Sequence, residues 1–122
     1  MSGLRAPLAV IAIAAAILCG CGHTTAIGSH RVLQVTVTEY RITPQDIRGR
    51  AGPLTIFVHN FGRLSHNLSI SLDGQPEGST QPIPPGETTE LSITLPAGTY
   101  QMASTILSDQ ALGTYGTLKL HS

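Results

Sequence analysis

Two residue types in this chain can carry chemistry unaided, and both are scarce: five histidines and two cysteines among 122 residues. Cys19 and Cys21 both stand near the N-terminus. His23 and His30 lie in GHTTAIGSH, a polar stretch without hydrophobic period, and read as solvated tether residues. Two flexible imidazoles there could hold a metal only weakly. His121 reads as a solvated tail residue. His59 shares the polar face of its segment with Thr55 and Phe57, so it reads as structural or surface-lying. His66 differs from all of these. In HNLSISL the period of two puts it in register with Leu68, Ile70 and Leu72, on the inward face. A buried imidazole needs a partner. The stretch to search is Tyr100–Leu120, YQMASTILSDQALGTYGTLKL. There an apolar strand ends at Ser104, a polar turn follows, and Gly113 and Gly116 bracket Thr114.

The elements that must position these residues are strands. The chain carries 13 Gly, 8 Pro and no Trp, a composition suited to a turn-rich all-β domain. Leu33, Val35 and Val37 share one face; so do Leu54, Ile56 and Val58, and later Leu91, Ile93 and Leu95. Tyr100, Met102 and Ser104 share another, and Leu118 and Leu120 close the pattern. Pro44 suits an edge or bend, and a turn is expected around Gly49–Pro53. DGQPEGSTQPIPPGE reads as a long loop, and Thr105–Leu112 leaves room for a single helical turn. Seven or eight short strands so arranged predict a two-sheet antiparallel Greek-key sandwich over residues 32–122. No internal repeat or second domain is visible.

Before that domain, Arg5 is followed by an apolar run from Ala6 to Leu18, too short to cross a bilayer comfortably. A basic start, an apolar middle and a small-residue boundary describe a secretory signal peptide. The boundary Leu18-Cys19-Gly20-Cys21 resembles the bacterial lipobox, with Gly20 before the cut. That resemblance implies a signal peptide over 1–20, diacylation of Cys21 and a tether over 21–31. An ordinary signal peptide cut nearby and an uncleaved anchor helix are the alternatives. The expected address is therefore the outer side of the cytoplasmic membrane or elsewhere in a bacterial cell envelope. Formal net charge is zero and charged residues are 11%, so the chain has no electrostatic footprint for nucleic acid. With Cys19 discarded and Cys21 lipidated, no disulfide remains and the core must suffice.

The segment Asn60-Phe-Gly-Arg-Leu-Ser-His66-Asn67 resembles the strand end, loop and first copper histidine of the cupredoxins. Pro85-Gly86-Glu87, Leu91-Ser-Ile-Thr-Leu95 and Pro96-Ala-Gly-Thr-Tyr100 are similar to the family's penultimate hairpin. With the family's cysteine laid on Ser104, Gly113 and Gly116 fall on its two late glycines. Ser108 and Asp109 then fall on its Gly-His pair, and Thr114 on its methionine. The resemblance spans about residues 32–120 and implies a cupredoxin-like fold. It also marks His66, Ser104, Asp109 and Thr114 as former copper-ligand positions.

A blue copper site needs two imidazoles, a thiolate and a weak axial thioether. Ser104, Asp109 and Thr114 supply none of these. The expectation is a membrane-anchored binding or structural module, not an enzyme, with no cofactor. Its partners are the membrane, through Cys21, and an envelope protein or small ligand the sequence does not name. The alternative is a protein binding copper or another metal, or carrying electrons, with His66 and Asp109 as ligands. A third reading groups Ser104, His66 and Asp109 as a hydrolase triad, which needs the histidine to bridge the other two.

Overall fold

The computed structural model describes residues 24–106 and 109–122. The segment read as a signal peptide, with Cys19, Cys21, His23 and Ser108, lies outside the described residues.

Ten strands build two sheets. In chain order they are β1 (Thr25–Ala26), β2 (Val32–Val37), β3 (Ile42–Thr43), β4 (Asp46–Arg50), β5 (Gly52–Asn60), β6 (Ser69–Leu72), β7 (Gln75–Ser79), β8 (Thr88–Leu95), β9 (Gly98–Ala103) and β10 (Tyr115–His121). A single helical turn, α1 (Asp109–Leu112), lies before β10. The larger sheet has the order β1-β4-β10-β9-β6-β7, the smaller β3-β2-β5-β8. Their facing sides meet in one core in which Val35, Val37, Ile42, Ile47, Ile56, Val58, Leu68, Ile70, Met102 and Leu118 are wholly buried. The alternation is direct: β10 reads exposed, buried, exposed along its length, and β5 buries Leu54, Ile56, Val58 and Asn60. Tyr100 fits its ring in the core because its hydroxyl donates to the Pro96 carbonyl at 2.7 Å.

The all-β sandwich stands, but four expectations need correction. The sheets are mixed rather than antiparallel: β2 pairs β5, β10 pairs β4 and β1 pairs β4 in parallel. The expected turn around Gly49–Pro53 is narrower, because β4 runs to Arg50 and β5 begins at Gly52. The expected long loop contains β7, paired with β6 through a two-residue turn at Asp73-Gly74, both with positive φ (50° and 81°). Asp-Gly is the usual residue pair for such a turn. The tether contributes β1, and Ile27 packs against the core. Each strand added this way is short or polar, so hydrophobic alternation does not report it.

Strand direction matters for the site. β2 and β5 end, and β10 begins, at one end of the sandwich. The loops 38–41 and 61–65 gather there with residues 105–106 and 109–114, forming the loop end of the sandwich.

Candidate functional site: a buried histidine between two carboxylates

His66 follows the β5–β6 loop and is held by a pair of backbone bonds with Ile83 (2.7 and 3.2 Å). Asn60, wholly buried, fixes that loop. Its Nδ2 donates to the carbonyls of Leu64 and Ile83, both at 2.8 Å, and its Oδ1 accepts the Gly62 N–H at 2.8 Å. The imidazole is fully buried and both of its nitrogens are engaged. Nδ1 meets Asp109 Oδ2 at 2.5 Å and Nε2 meets Glu39 Oε2 at 2.9 Å. An ionised carboxylate only accepts, so with a carboxylate on each side the arrangement favours the ring that donates from both nitrogens, the imidazolium.

The electrostatics agree with that assignment. Burial pushes the His66 pKa down, but the hydrogen bonds to Glu39 and Asp109, and then their charges, outweigh it, so the net shift is upward. The Glu39 carboxyl is lowered, first by its bond from His66 and next by the Arg63 N–H, which donates to Oε1 at 2.7 Å. The network continues past Asp109. Ser104 donates to the same Oδ2 at 2.5 Å and accepts the Asn67 N–H at 3.2 Å. The Asn67 side chain bonds Thr105 twice, accepting its N–H at 2.7 Å and donating to its hydroxyl at 2.9 Å. No buried side-chain nitrogen or oxygen among the described residues lacks a partner.

Two glycines admit this packing. A Cβ on Gly62 would overlap the Glu39 carboxylate and stand 2.8 Å from His66 Nε2. Gly113 has φ of 116°, and a Cβ there would stand 2.5 Å from the Tyr40 carbonyl. The last loop therefore lies directly against the loop that carries Glu39.

The structure joins the side chains of His66, Ser104 and Asp109; Thr114 lies beside them through its backbone, its N–H donating to the Asp109 carbonyl at 3.0 Å and its carbonyl accepting the Ser104 N–H at 3.1 Å. Thr114 is buried, but its hydroxyl donates to the Thr38 carbonyl at 2.9 Å. His59 sits on the outer face of the smaller sheet, bonded to Gln34 and Thr88. His30 and His121 are exposed. Sequence reasoning missed Glu39, the second partner of His66. In Thr38-Glu39-Tyr40 it looks like any turn carboxylate, and no local pattern points 27 residues along the chain. Asn67 could have been suspected, as a polar residue adjoining His66.

The order of bonds decides what the group can do. A serine nucleophile needs the imidazole beside it. Here Asp109 stands between Ser104 and His66, so the hydroxyl is bonded to a carboxylate and not to a base that a second acid orients. A cleft of about 630 Å³ lined by Thr25, Arg41, Ile42, Thr43, Pro44, Gln45 and Asp46 includes none of these residues. Nor does the donor set fit a blue copper centre. A metal takes a free lone pair of an imidazole, whereas both His66 nitrogens are engaged by carboxylates on opposite sides of the ring. Among the described residues no three His, Cys, Asp or Glu side chains converge as a metal site.

A mixed β-sandwich with this loop end defines a class, and comparison with known proteins names it. Residues 9–115 match the family model described as the cupredoxin-like domain, and the chain belongs to that family. The match begins inside the segment read as a signal peptide. Solved structures agree at the level of fold. Reduced auracyanin from Roseiflexus castenholzii superposes with a TM-score of 0.69 at 16% identity, covering 78% of this chain and 100% of its own. Reduced rusticyanin gives 0.65 at 16% identity, covering 80% and 84%. A multicopper oxidase gives 0.62 at 17% identity, covering 75% of this chain and 42% of the oxidase. No curated protein matches the sequence.

Proposed function

We propose that this protein is a lipid-anchored, extracytoplasmic member of the cupredoxin-like family that works without copper, as a binding or structural module of the cell envelope. One observation carries the reading: both nitrogens of the buried His66 are committed to carboxylates, Asp109 and Glu39. A buried cation held by two acids has taken over the task of a metal, which is to hold the surrounding loops together by charge. Ser104 in place of a thiolate supports the same conclusion, since a hydroxyl is a poor copper ligand while protonated. The anchor is assigned to Cys21 on the lipobox-like sequence before it, and no catalytic step is assigned.

The test is incubation of the purified protein with Cu(II), followed by metal analysis and a visible spectrum. Weak, substoichiometric copper and no intense visible band are expected. One tightly held copper per chain with strong colour would overturn the reading and restore electron transfer. A tightly held but colourless metal, lost in both His66→Ala and Asp109→Ala, would favour metal handling instead.

A further inference from the structure

We propose that the loop end of the sandwich seats on the surface of a lipid bilayer, with Tyr40, Phe61, Leu64 and Leu112 entering the boundary between headgroups and acyl chains. The inference rests on the anchoring of Cys21 proposed above. Its first support is the direction in which the chain enters the fold. β1, β4 and β10 run parallel, with Thr25 opposite Ile47 and Ile47 opposite Leu118. β10 starts at the loop end, at Tyr115, while β4 and β1 start two to three residues farther in, level with Thr117 and Leu118, and all three run away from that end. Thr24 is pinned at the level of Thr117 by its hydroxyl, which donates to Asp46 Oδ2 at 3.2 Å. Cys21 lies three residues earlier, and three residues span at most about 11 Å. From the level of Thr24 the start of β10 is two residues away, about 7 Å, and its far end at His121 is four residues away, about 13 Å. The chain enters β1 running away from the loop end, and three residues are enough to bring Cys21 level with that end; on this proposal a diacylated Cys21 holds the loop end toward the membrane.

The second support is where the apolar surface lies. Tyr40 (70% exposed), Phe61 (71%), Leu64 (59%), Leu112 (54%) and Tyr115 (49%) all belong to the loop end. Among the described residues only Val32, at the far end, completes the set of exposed large hydrophobics. They come from three separate loops and the start of β10, and those loops touch: the Phe61 N–H donates to Val37, and Gly113 abuts Tyr40. Aromatic rings favour the membrane interface. Arg41 and Arg63 stand exposed in two of these loops, suited to headgroup phosphates. An apolar rim within reach of a lipid anchor has an occupant at hand that needs no second protein.

The chain has no tryptophan, so one introduced residue reports alone. Tyr40→Trp and Leu64→Trp place it on two rim loops; Ala97→Trp places it in the exposed β8–β9 turn at the far end. Each full-length protein is expressed in a bacterial host, purified in detergent and returned to phosphatidylethanolamine–phosphatidylglycerol vesicles containing brominated acyl chains. Intact mass reports the lipid. With the lipid present, the two rim tryptophans should shift to shorter wavelength and lose intensity to bromine, while the Ala97→Trp signal stays unquenched. Lipid present with unquenched rim tryptophans overturns the seat and leaves the anchor standing. A rim signal that shifts only with rising protein concentration, without bromine quenching, assigns the rim to a second copy and overturns the bilayer. Absence of lipid on Cys21 removes the anchor, and the seat with it.

Discussion

Replacing Asp109 by alanine removes the group that joins Ser104 to His66, and the geometry sets the cost. Hydrogen bonds to charged groups contribute about 1.5–3 kcal/mol each, and Asp109 makes two. Part of that loss is recovered: Ser104 can turn its hydroxyl to Asn67 Oδ1, 3.2 Å away, and His66 keeps Glu39. The expected net loss is about 3 kcal/mol. His66→Ala leaves Asp109, nearly buried, with Ser104 alone, and empties the space of a fully buried ring, for about 3 kcal/mol again. The bond between the two residues is counted in both losses but can be lost only once. The double variant should therefore lose about 4 kcal/mol, not about 6, a coupling of roughly 2 kcal/mol. Urea unfolding of the four proteins measures this directly. With a slope of about 1.5 kcal/mol per molar, each single change moves the midpoint by about 2 M. Additive losses, or a variant more stable than the parent, would refute the claim that these side chains hold the loops together. A site kept for catalysis or metal binding often behaves in that second way.

Further predictions come from the same network. The raised pKa of His66 contributes stability that is complete below the ordinary imidazole value of 6.5 and is lost as pH rises through the higher folded value. The lowered Glu39 carboxyl works in the opposite direction, its contribution present above 4.5 and lost as pH falls through its folded value. Stability should therefore be greatest between these limits, and His66→Ala should flatten the alkaline side; an unchanged profile would refute the imidazolium. Gly62→Ala should separate Glu39 from His66, and NMR titration should show the His66 pKa falling. The combined change Ser104→Cys, Asp109→His and Thr114→Met should restore visible colour with Cu(II), because the loop that carries these positions keeps its glycines. A colourless variant that folds would refute the alignment of these three positions with the family's ligands.

Much of this fold can be read directly from the sequence because its core strands alternate strictly. Val35, Val37, Ile56 and Val58 are wholly buried, as their period requires. His66 shows its burial for the same reason, standing two residues before Leu68. What alternation does not show is pairing. β4 is a polar five-residue segment, Asp-Ile-Arg-Gly-Arg, with only Ile47 buried, and becomes a strand because β1 and β10 flank it. β7 has no buried residue, and its only local signal was Asp73-Gly74. Glu39 is harder still, because its role is created by two loops meeting over His66. Ser104 and Asp109 became visible only through the family's loop length, since neither has a local signature that distinguishes it from a turn residue.

The place of β10 has a consequence for how the molecule comes into being. β10, made after all nine other described strands, is an inner member of the larger sheet, between β4 and β9, with a neighbour on each side along most of its length. Until Tyr115–His121 are available, β1 and β4 have nothing to join in that sheet, and the sheet remains in two pieces. Parallel pairing between segments some seventy residues apart must also wait for a large loop to close, which is slow relative to local contacts. A growing chain therefore cannot complete this fold from its N-terminus onward. The larger sheet becomes continuous only when Tyr115–His121 arrive.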